Sequence, residues 1–197
     1  MTTGKRLFDV VAAAVGLLLL SPVFLVVALL IKLDSQGPVF YRGWRVGEGG
    51  LPFRIIKFRT MVRHAEVLGP VVTTADDVRV TNVGRLLRRT KLDELPQLLN
   101  VVAGTMSIVG PRPEDPTLVA HYSREEKKML ELRPGITSPA SLAYRREETL
   151  LHGANWQSTY LQAILPRKLE IEREYAARRT LFSDVALIAR TVFGLFR

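Results

Sequence analysis

From Val10 to Ile31 the chain carries no charged residue over 22 positions. A run of that length is enough for a membrane helix. Lys5 and Arg6 precede it, and Lys32, Arg42 and Arg45 follow. Ser21-Pro22 interrupts it near the middle. Pro22 cannot donate to the Leu18 carbonyl and its ring crowds the preceding turn, so the pattern predicts a helix that bends or breaks there. Each half has about 11 residues, or ~16 Å, so neither half alone crosses a hydrocarbon core of ~30 Å. Two geometries follow: a Pro-kinked spanning helix, or a re-entrant helix that dips into one leaflet and returns. Basic residues on both flanks place both ends on the cytoplasmic face by the positive-inside rule. Asp9 stands at helical spacing from Lys5 and Arg6 and can pair with either. Ser21 can offer its hydroxyl to a carbonyl freed by the break. The run is too long for a secretory signal, and no small-residue cleavage site follows it.

Gly37-Pro38 marks a turn and divides the chain into a membrane helix, 1–36, and a soluble part, 37–197. Val39-Phe40-Tyr41 predicts a short strand, Gly47 to Gly50 a turn, and Phe53 to Met61 a second strand, together a small β-hairpin. Lys57, between Ile56 and Phe58, packs its stem and points its ammonium at something specific, for which a phosphate is suited. Met61 to Thr81 is weakly patterned and predicts a surface loop. Arg85 to Arg89 reads as a short basic helix after Gly84. In Thr90 to Asn100 the spacing of Thr90 and Asp93 fits a capping start. Leu95, Leu98, Leu99 and Val102 then predict a buried stripe, with Gly104 as the stop. Met106 to Val109 leads into Gly110-Pro111-Arg112-Pro113, where two prolines fix an arginine suited to bidentate phosphate contact. A polar helix is expected from Ser123 to Leu132, and a rigid turn at Arg133-Pro134-Gly135-Ile136-Thr137. Trp156 to Tyr175 reads as helix with a break near Pro166. Ser183 reads as the cap of a last helix, whose Val185, Ile188, Ala189, Val192 and Phe193 form an apolar face for the core or for the membrane interface. The fold class is α+β and mainly helical.

The formal charge of +9 over 197 residues implies an anionic partner: a membrane surface, a nucleic acid or a phosphorylated small molecule. The cations are scattered among apolar strands and proline turns with no recognisable nucleic-acid module, which counts against nucleic acid. There are no cysteines, so disulfides, thiolate metal sites and thiol nucleophiles are excluded.

Asp93 and Glu94 are two adjacent carboxylates inside a cationic surround of Arg85, Arg88, Arg89, Lys91 and Arg112. That combination suits a metal ion and a phosphorylated substrate. Arg133 and the run Tyr144-Arg145-Arg146 are candidates for nucleotide or sugar contact.

Taken together and in order, several motifs resemble the bacterial sugar transferase family, the small monotopic phosphoglycosyl transferases. They are Lys5-Arg6-Leu7-Phe8-Asp9, the apolar helix with Ser21-Pro22, Gly37-Pro38-Val39-Phe40, Ile56-Lys57-Phe58-Arg59-Thr60-Met61, Leu92-Asp93-Glu94-Leu95-Pro96-Gln97, Gly110-Pro111-Arg112-Pro113 and Arg133-Pro134-Gly135-Ile136-Thr137. The resemblance covers almost the whole chain, which looks like the minimal catalytic unit. It implies a monotopic protein of the bacterial inner membrane, with a helix made re-entrant by Ser21-Pro22, C-terminal interfacial helices and a catalytic unit on the cytoplasmic face. It implies a nucleotide sugar, usually a UDP-sugar, as donor, polyprenyl phosphate as acceptor, and Mg²⁺ as cofactor. Asp93 matches the nucleophile and Glu94 its partner, while Lys57, Arg88 and Arg112 match basic residues of the phosphate site. Anionic membrane lipids are expected partners, and self-association is left open. The family's Gly-x-Ala-Gln run is replaced by Ser138-Pro139-Ala140-Ser141, so sugar preference does not carry over.

The residues alone reach nearly the same chemistry. Mg²⁺ takes one or two carboxylates plus phosphate oxygens, which Asp93 and Glu94 can supply. Lys57, Arg88 and Arg112 can meet the remaining phosphate charge, and phosphoryl transfer depends chiefly on such positioning. A carboxylate can also act as a covalent nucleophile. A two-step transfer through an Asp93 phosphosugar follows, with Glu94 as metal ligand or base. The same dyad would also suit a membrane-bound Mg²⁺-dependent nucleotide-sugar hydrolase that takes water as acceptor.

Overall fold

The computed structural model describes residues 2–69, 77–145 and 156–194. Its helices are α1 (Thr3–Asp34), α2 (Ala65–Leu68), α3 (Asn82–Thr90), α4 (Gln97–Ala103), α5 (Pro116–Val119), α6 (Pro139–Ala143), α7 (Trp156–Thr159), α8 (Leu165–Arg178) and α9 (Leu181–Gly194). The strands are β1 (Phe40–Val46) and β2 (Pro52–Phe58), then β3 (Ser107–Val109) and β4 (Gly135–Thr137). β1 and β2 form the expected antiparallel hairpin, with Tyr41 opposite Lys57. β3 and β4 pair in parallel, Ser107 opposite Gly135 and Val109 opposite Thr137. Residues 135–137 of the rigid turn expected at 133–137 are therefore a strand.

α1 is one continuous helix with Pro22 inside it, not two helices separated at Ser21-Pro22. The Ser21 hydroxyl donates to the Leu18 carbonyl at 2.8 Å, supplying the partner that Pro22 cannot. By length and composition α1 could cross a membrane. Much of its surface is open and apolar, as at Leu18, Leu19, Leu25 and Leu33. One side nevertheless packs on the rest of the chain in both halves. Ala13 sits with Phe53, Ile55, Val101 and Met106, while Val27 and Ile31 sit with Phe58 and Leu87. Polar anchors hold both ends. Lys5 pairs with Asp9 at 2.6 Å and with Asp184 of α9 at 3.2 Å, and the Ser107 hydroxyl donates to Asp9 at 2.6 Å. Asp9 is thus a fully buried joint between α1 and β3. Asp34 accepts the Val83 backbone N–H at 3.1 Å. Arg59 donates to the carbonyls of Ser35, Gln36 and Pro38, clamping the chain where it leaves α1.

Three local expectations are corrected. Thr90 ends α3 and donates its hydroxyl back to the Leu86 and Leu87 carbonyls, so it caps nothing downstream. On α4 the deepest positions are Gln97, Asn100 and Val101, while Leu99 and Val102 of the expected stripe are exposed. Gly104 does end α4, at φ 89°. The N-terminal cap of α9 is Thr180, which exchanges hydrogen bonds with Ser183, the residue expected to cap it. A π-helical turn at Tyr160–Ile164 precedes Pro166, where the break was expected.

α9 carries apolar side chains on its outer face as well as on its packed one. Asp184 and Leu187 are buried, whereas Phe182, Val185, Val192 and Phe193 are exposed.

Candidate active site

The site begins at Lys91, whose φ of 56° and ψ of 15° are left-handed. That conformation costs a non-glycine residue roughly 1–2 kcal/mol. It stops α3 and turns the chain into a single 3₁₀ turn, Leu92–Glu94, ahead of α4. The turn buries Asp93 and sets Glu94 beside it.

Asn100 brings Lys57 to this pair. Its side-chain amide treats the edge of β2 as a neighbouring strand would, accepting from the Ile56 N–H at 2.9 Å and donating to the Arg54 carbonyl at 2.8 Å. With β2 fixed on α4, the Lys57 ammonium reaches Glu94 Oε1 at 2.7 Å. Arg112, from the segment after β3, reaches the same oxygen at 2.9 Å and Oε2 at 3.5 Å. Arg88 on α3 is steadied by Thr60, whose Oγ1 accepts from its Nε at 3.1 Å.

The two carboxyl groups differ. Burial alone would raise Glu94, but Arg112 and Lys57 outweigh it and hold Glu94 well below the usual carboxylate range. Burial, and then the charge on Glu94, push Asp93 up against the pull of Lys57, Arg88 and Lys91. Burial lowers Lys57, with Glu94 opposing. Glu94 is a committed anion, and Asp93 is the carboxyl group with capacity to spare. Asp93 Oδ1 is buried with no hydrogen-bond partner. An orphaned carboxylate oxygen is costly without a ligand or cation to meet it.

Asp93 and Glu94 open on a cleft of about 400 Å³. Lys57, Arg88, Lys91, Arg112, Arg145 and Lys168 supply its cations. A volume of that order suits a small-molecule substrate. A family model described as bacterial sugar transferase matches residues 1–197.

The chain belongs to the bacterial sugar transferase family.

It is similar to the UDP-glucose:undecaprenyl-phosphate glucose-1-phosphate transferase of Caulobacter vibrioides, 40% identical over 97% of this chain and 69% of that protein. It is also similar to the UDP-N-acetylgalactosamine-undecaprenyl-phosphate N-acetylgalactosaminephosphotransferase of Aeromonas hydrophila, 37% identical over 95% of this chain and 42% of that protein. The exopolysaccharide production protein ExoY of Rhizobium meliloti is 34% identical over 95% of this chain and 83% of its own length. The first two carry different sugars in their names, so the family likeness sets the class of reaction and not the sugar.

In this sugar transferase the cleft brings together most of the residues singled out in the sequence. Lys57, Arg88, Asp93, Glu94, Arg112, Tyr144 and Arg145 all line it. Arg145 also donates to the Gly194 carbonyl at the end of α9. Arg133 does not line it and is ion-paired to Glu48 at 2.7 Å. Arg146 lies outside the described residues. Lys91, Ser141 and Lys168 line the cleft without having been singled out as site residues. Lys91 had a signal, its place next to the acid pair. Lys168 had none. It sits in a charged helical run, and only folding brings it to Glu114 at 3.4 Å and the Tyr160 hydroxyl at 3.3 Å.

No cluster of three or more His, Cys, Asp or Glu occurs among the described residues. A divalent cation here would lean on Asp93, because both oxygens of Glu94 already face Lys57 or Arg112. Mg²⁺ tolerates such a sparse protein shell, completing its coordination with water and phosphate oxygens. The donor set therefore fits Mg²⁺ through one carboxylate.

Proposed function

We propose that this sugar transferase moves a sugar-1-phosphate from a UDP-sugar to polyprenyl phosphate through a covalent intermediate on Asp93. Asp93 attacks the sugar-bearing phosphorus. The bond between the two phosphates breaks, and its electron pair leaves with UMP. The phosphosugar is then held as an acyl phosphate. An oxygen of the lipid phosphate attacks the same phosphorus, the bond to Asp93 breaks, and polyprenyl diphosphosugar departs with the carboxylate restored. Lys57, Arg88 and Arg112 hold the donor phosphates in line and balance their charge. Glu94 keeps Lys57 and Arg112 in place. Its depressed pKa makes it a poor base, so positioning is its role. Mg²⁺, when bound, adds charge neutralisation on the phosphate oxygens.

We also propose that the protein is monotopic on the cytoplasmic face of the inner membrane, with α1 entering a single leaflet. Support comes from α1 touching the same catalytic unit in both of its halves and near both of its ends. A spanning helix needs about 20 residues inside the hydrocarbon core. Between Gly16, which abuts Leu98, and Val23, which packs near Phe58, few residues are left without such contacts.

The observation that carries the chemical reading is the asymmetry of the acid pair: Glu94 locked between two cations, Asp93 buried with an oxygen unmatched. The test is UMP release from a panel of UDP-sugars, with and without undecaprenyl phosphate, together with capture of a labelled adduct. Wild type should form the adduct and pass it to the lipid. Asp93→Asn should lose both adduct and turnover by at least about a thousandfold. An adduct at full yield in Asp93→Asn removes Asp93 from the role. Sugar phosphate released to water at the same rate without lipid makes the enzyme a hydrolase.

A further inference from the structure

The cleft is lined by apolar as well as charged side chains. Alongside its charged residues, Leu98, Ile108, Ile136, Leu142, Ile188 and Val192 line it with branched aliphatic side chains. The two threonines among them, Thr137 and Thr191, are bonded to each other at 2.7 Å, and the Thr191 hydroxyl donates to the Leu187 carbonyl at 2.9 Å. Both hydroxyl protons are therefore spent, and these residues turn no spare donor toward a ligand. A hydrocarbon needs no such partners, whereas a sugar ring or a base has to find them at Ser141, Tyr144 and the charged residues of the cleft.

We infer that this apolar lining forms a slot for the first isoprene units of the acceptor lipid, entered beside Val192. The inference rests on the proposed transfer to polyprenyl phosphate and specifies where that substrate lies. Three observations favour this occupant over the donor. Val192 lines the cleft and is also 49% exposed, next to Phe193 at 73%, so the slot opens on the outer apolar face of α9. Leu98, of the same lining, lies against Gly16 of α1, so the slot borders the helix proposed to enter the membrane. The same cleft is lined by Asp93 and the cations, where a lipid phosphate finds charge complementarity. An isoprenoid could thus enter from the membrane tail-outward and keep its phosphate at the acid pair. Leu142, of the same lining, lies close to Gly194 at the end of α9.

The test is a split between the two substrates. Val192→Trp should raise the KM for undecaprenyl phosphate at least tenfold and move the KM for the UDP-sugar less than twofold. Independently of any variant, undecaprenyl phosphate carrying a diazirine on its first isoprene unit should crosslink wild type within residues 181–194. A rise confined to the UDP-sugar KM would give the slot to the donor and overturn the inference. Unchanged constants, or crosslinks confined to the β1–β2 hairpin, would overturn it as well while leaving the transferase reading intact. If wild type releases no UMP from any UDP-sugar, the transferase reading fails and the slot falls with it.

Discussion

Asp93 and Glu94 show how one residue's neighbours can reverse what burial does to the next. Glu172, on α8, is a carboxyl group for which burial wins. It is 5% exposed, Oε1 has no hydrogen-bond partner, and burial pushes its pKa up to about 7 against weaker pulls from Ser138, Lys168 and the Ala140 backbone. An acid whose folded pKa lies above its ordinary 4.5 holds its proton more tightly when folded. Its unfavourable contribution is absent below the unfolded value, grows as pH rises from about 4.5, and levels off above about 7. At ~1.4 kcal/mol per unit this amounts to roughly 3 kcal/mol. Glu172→Gln removes the titration. The variant should therefore gain stability on wild type by about that amount between pH 4.5 and pH 8. Thermal unfolding of both proteins in detergent, across that range, checks it. Nothing in the run Leu169 to Arg178 announced this group, because alternating charges on a helix read as a solvated face. Burial there depends on what packs across from it, and a single helix does not encode that. Lys57, Asp93, Glu94 and Arg112 were legible because their charges interrupt apolar or proline-fixed stretches, where a solvated role is hard to meet.

At the scale of elements, local signals carried the hairpin and the end of α4, and non-local pairing escaped them. β3 and β4 are separated by 25 residues between Val109 and Gly135, and parallel strands share no turn that would mark their partnership. Each was visible as a proline-flanked motif. The structure joins the two motifs backbone to backbone, with the Gly110 N–H donating to the Thr137 carbonyl at 3.1 Å and the Gly135 N–H to the Pro111 carbonyl at 2.9 Å. A Cβ on Gly135 would lie 2.1 Å from the Gly110 nitrogen and 2.6 Å from its oxygen. The obstacle is backbone, which cannot swing aside as a side chain can. Gly135→Ala should therefore cost more than about 2 kcal/mol. Because Arg112 is carried by the segment leaving β3, the same change should weaken UDP-sugar binding. Gly4, in the first turn of α1 with open space around it, is the contrast. Gly4→Ala should be neutral or stabilising by up to about 1 kcal/mol. Thermal unfolding of both variants, with UDP-sugar titration of Gly135→Ala, distinguishes a steric joint from general glycine loss.

The whole molecule is organised by which surface is apolar. Leu18, Leu25 and Leu33 on α1, Leu99 and Val102 on α4, and Phe182 and Phe193 on α9 are all exposed, while Asp9 and Asp184 are buried and linked through Lys5. In water that arrangement is unfavourable, since each fully exposed large apolar side chain forgoes ~1.5–3 kcal/mol of burial. In a bilayer interface the same side chains are solvated by lipid, and the buried ion pairs stay out of it. A helix crossing the membrane would put Thr3 and Gln36 on opposite faces. A helix lying along one catalytic unit through both halves puts them on the same face. The chain has no cysteine, so single-cysteine variants report this directly. Thr3→Cys and Gln36→Cys, both at exposed positions, should each react with a membrane-impermeant maleimide in inverted inner-membrane vesicles and be protected in right-side-out vesicles. Leu19→Cys, on the exposed apolar side of α1, should be protected in both. Labelling of Thr3→Cys and Gln36→Cys from opposite sides would show that α1 spans the bilayer. The catalytic unit packed along both halves of α1 could not then remain in water, so the contacts of Ala13 and Ile31 would have to be given up together.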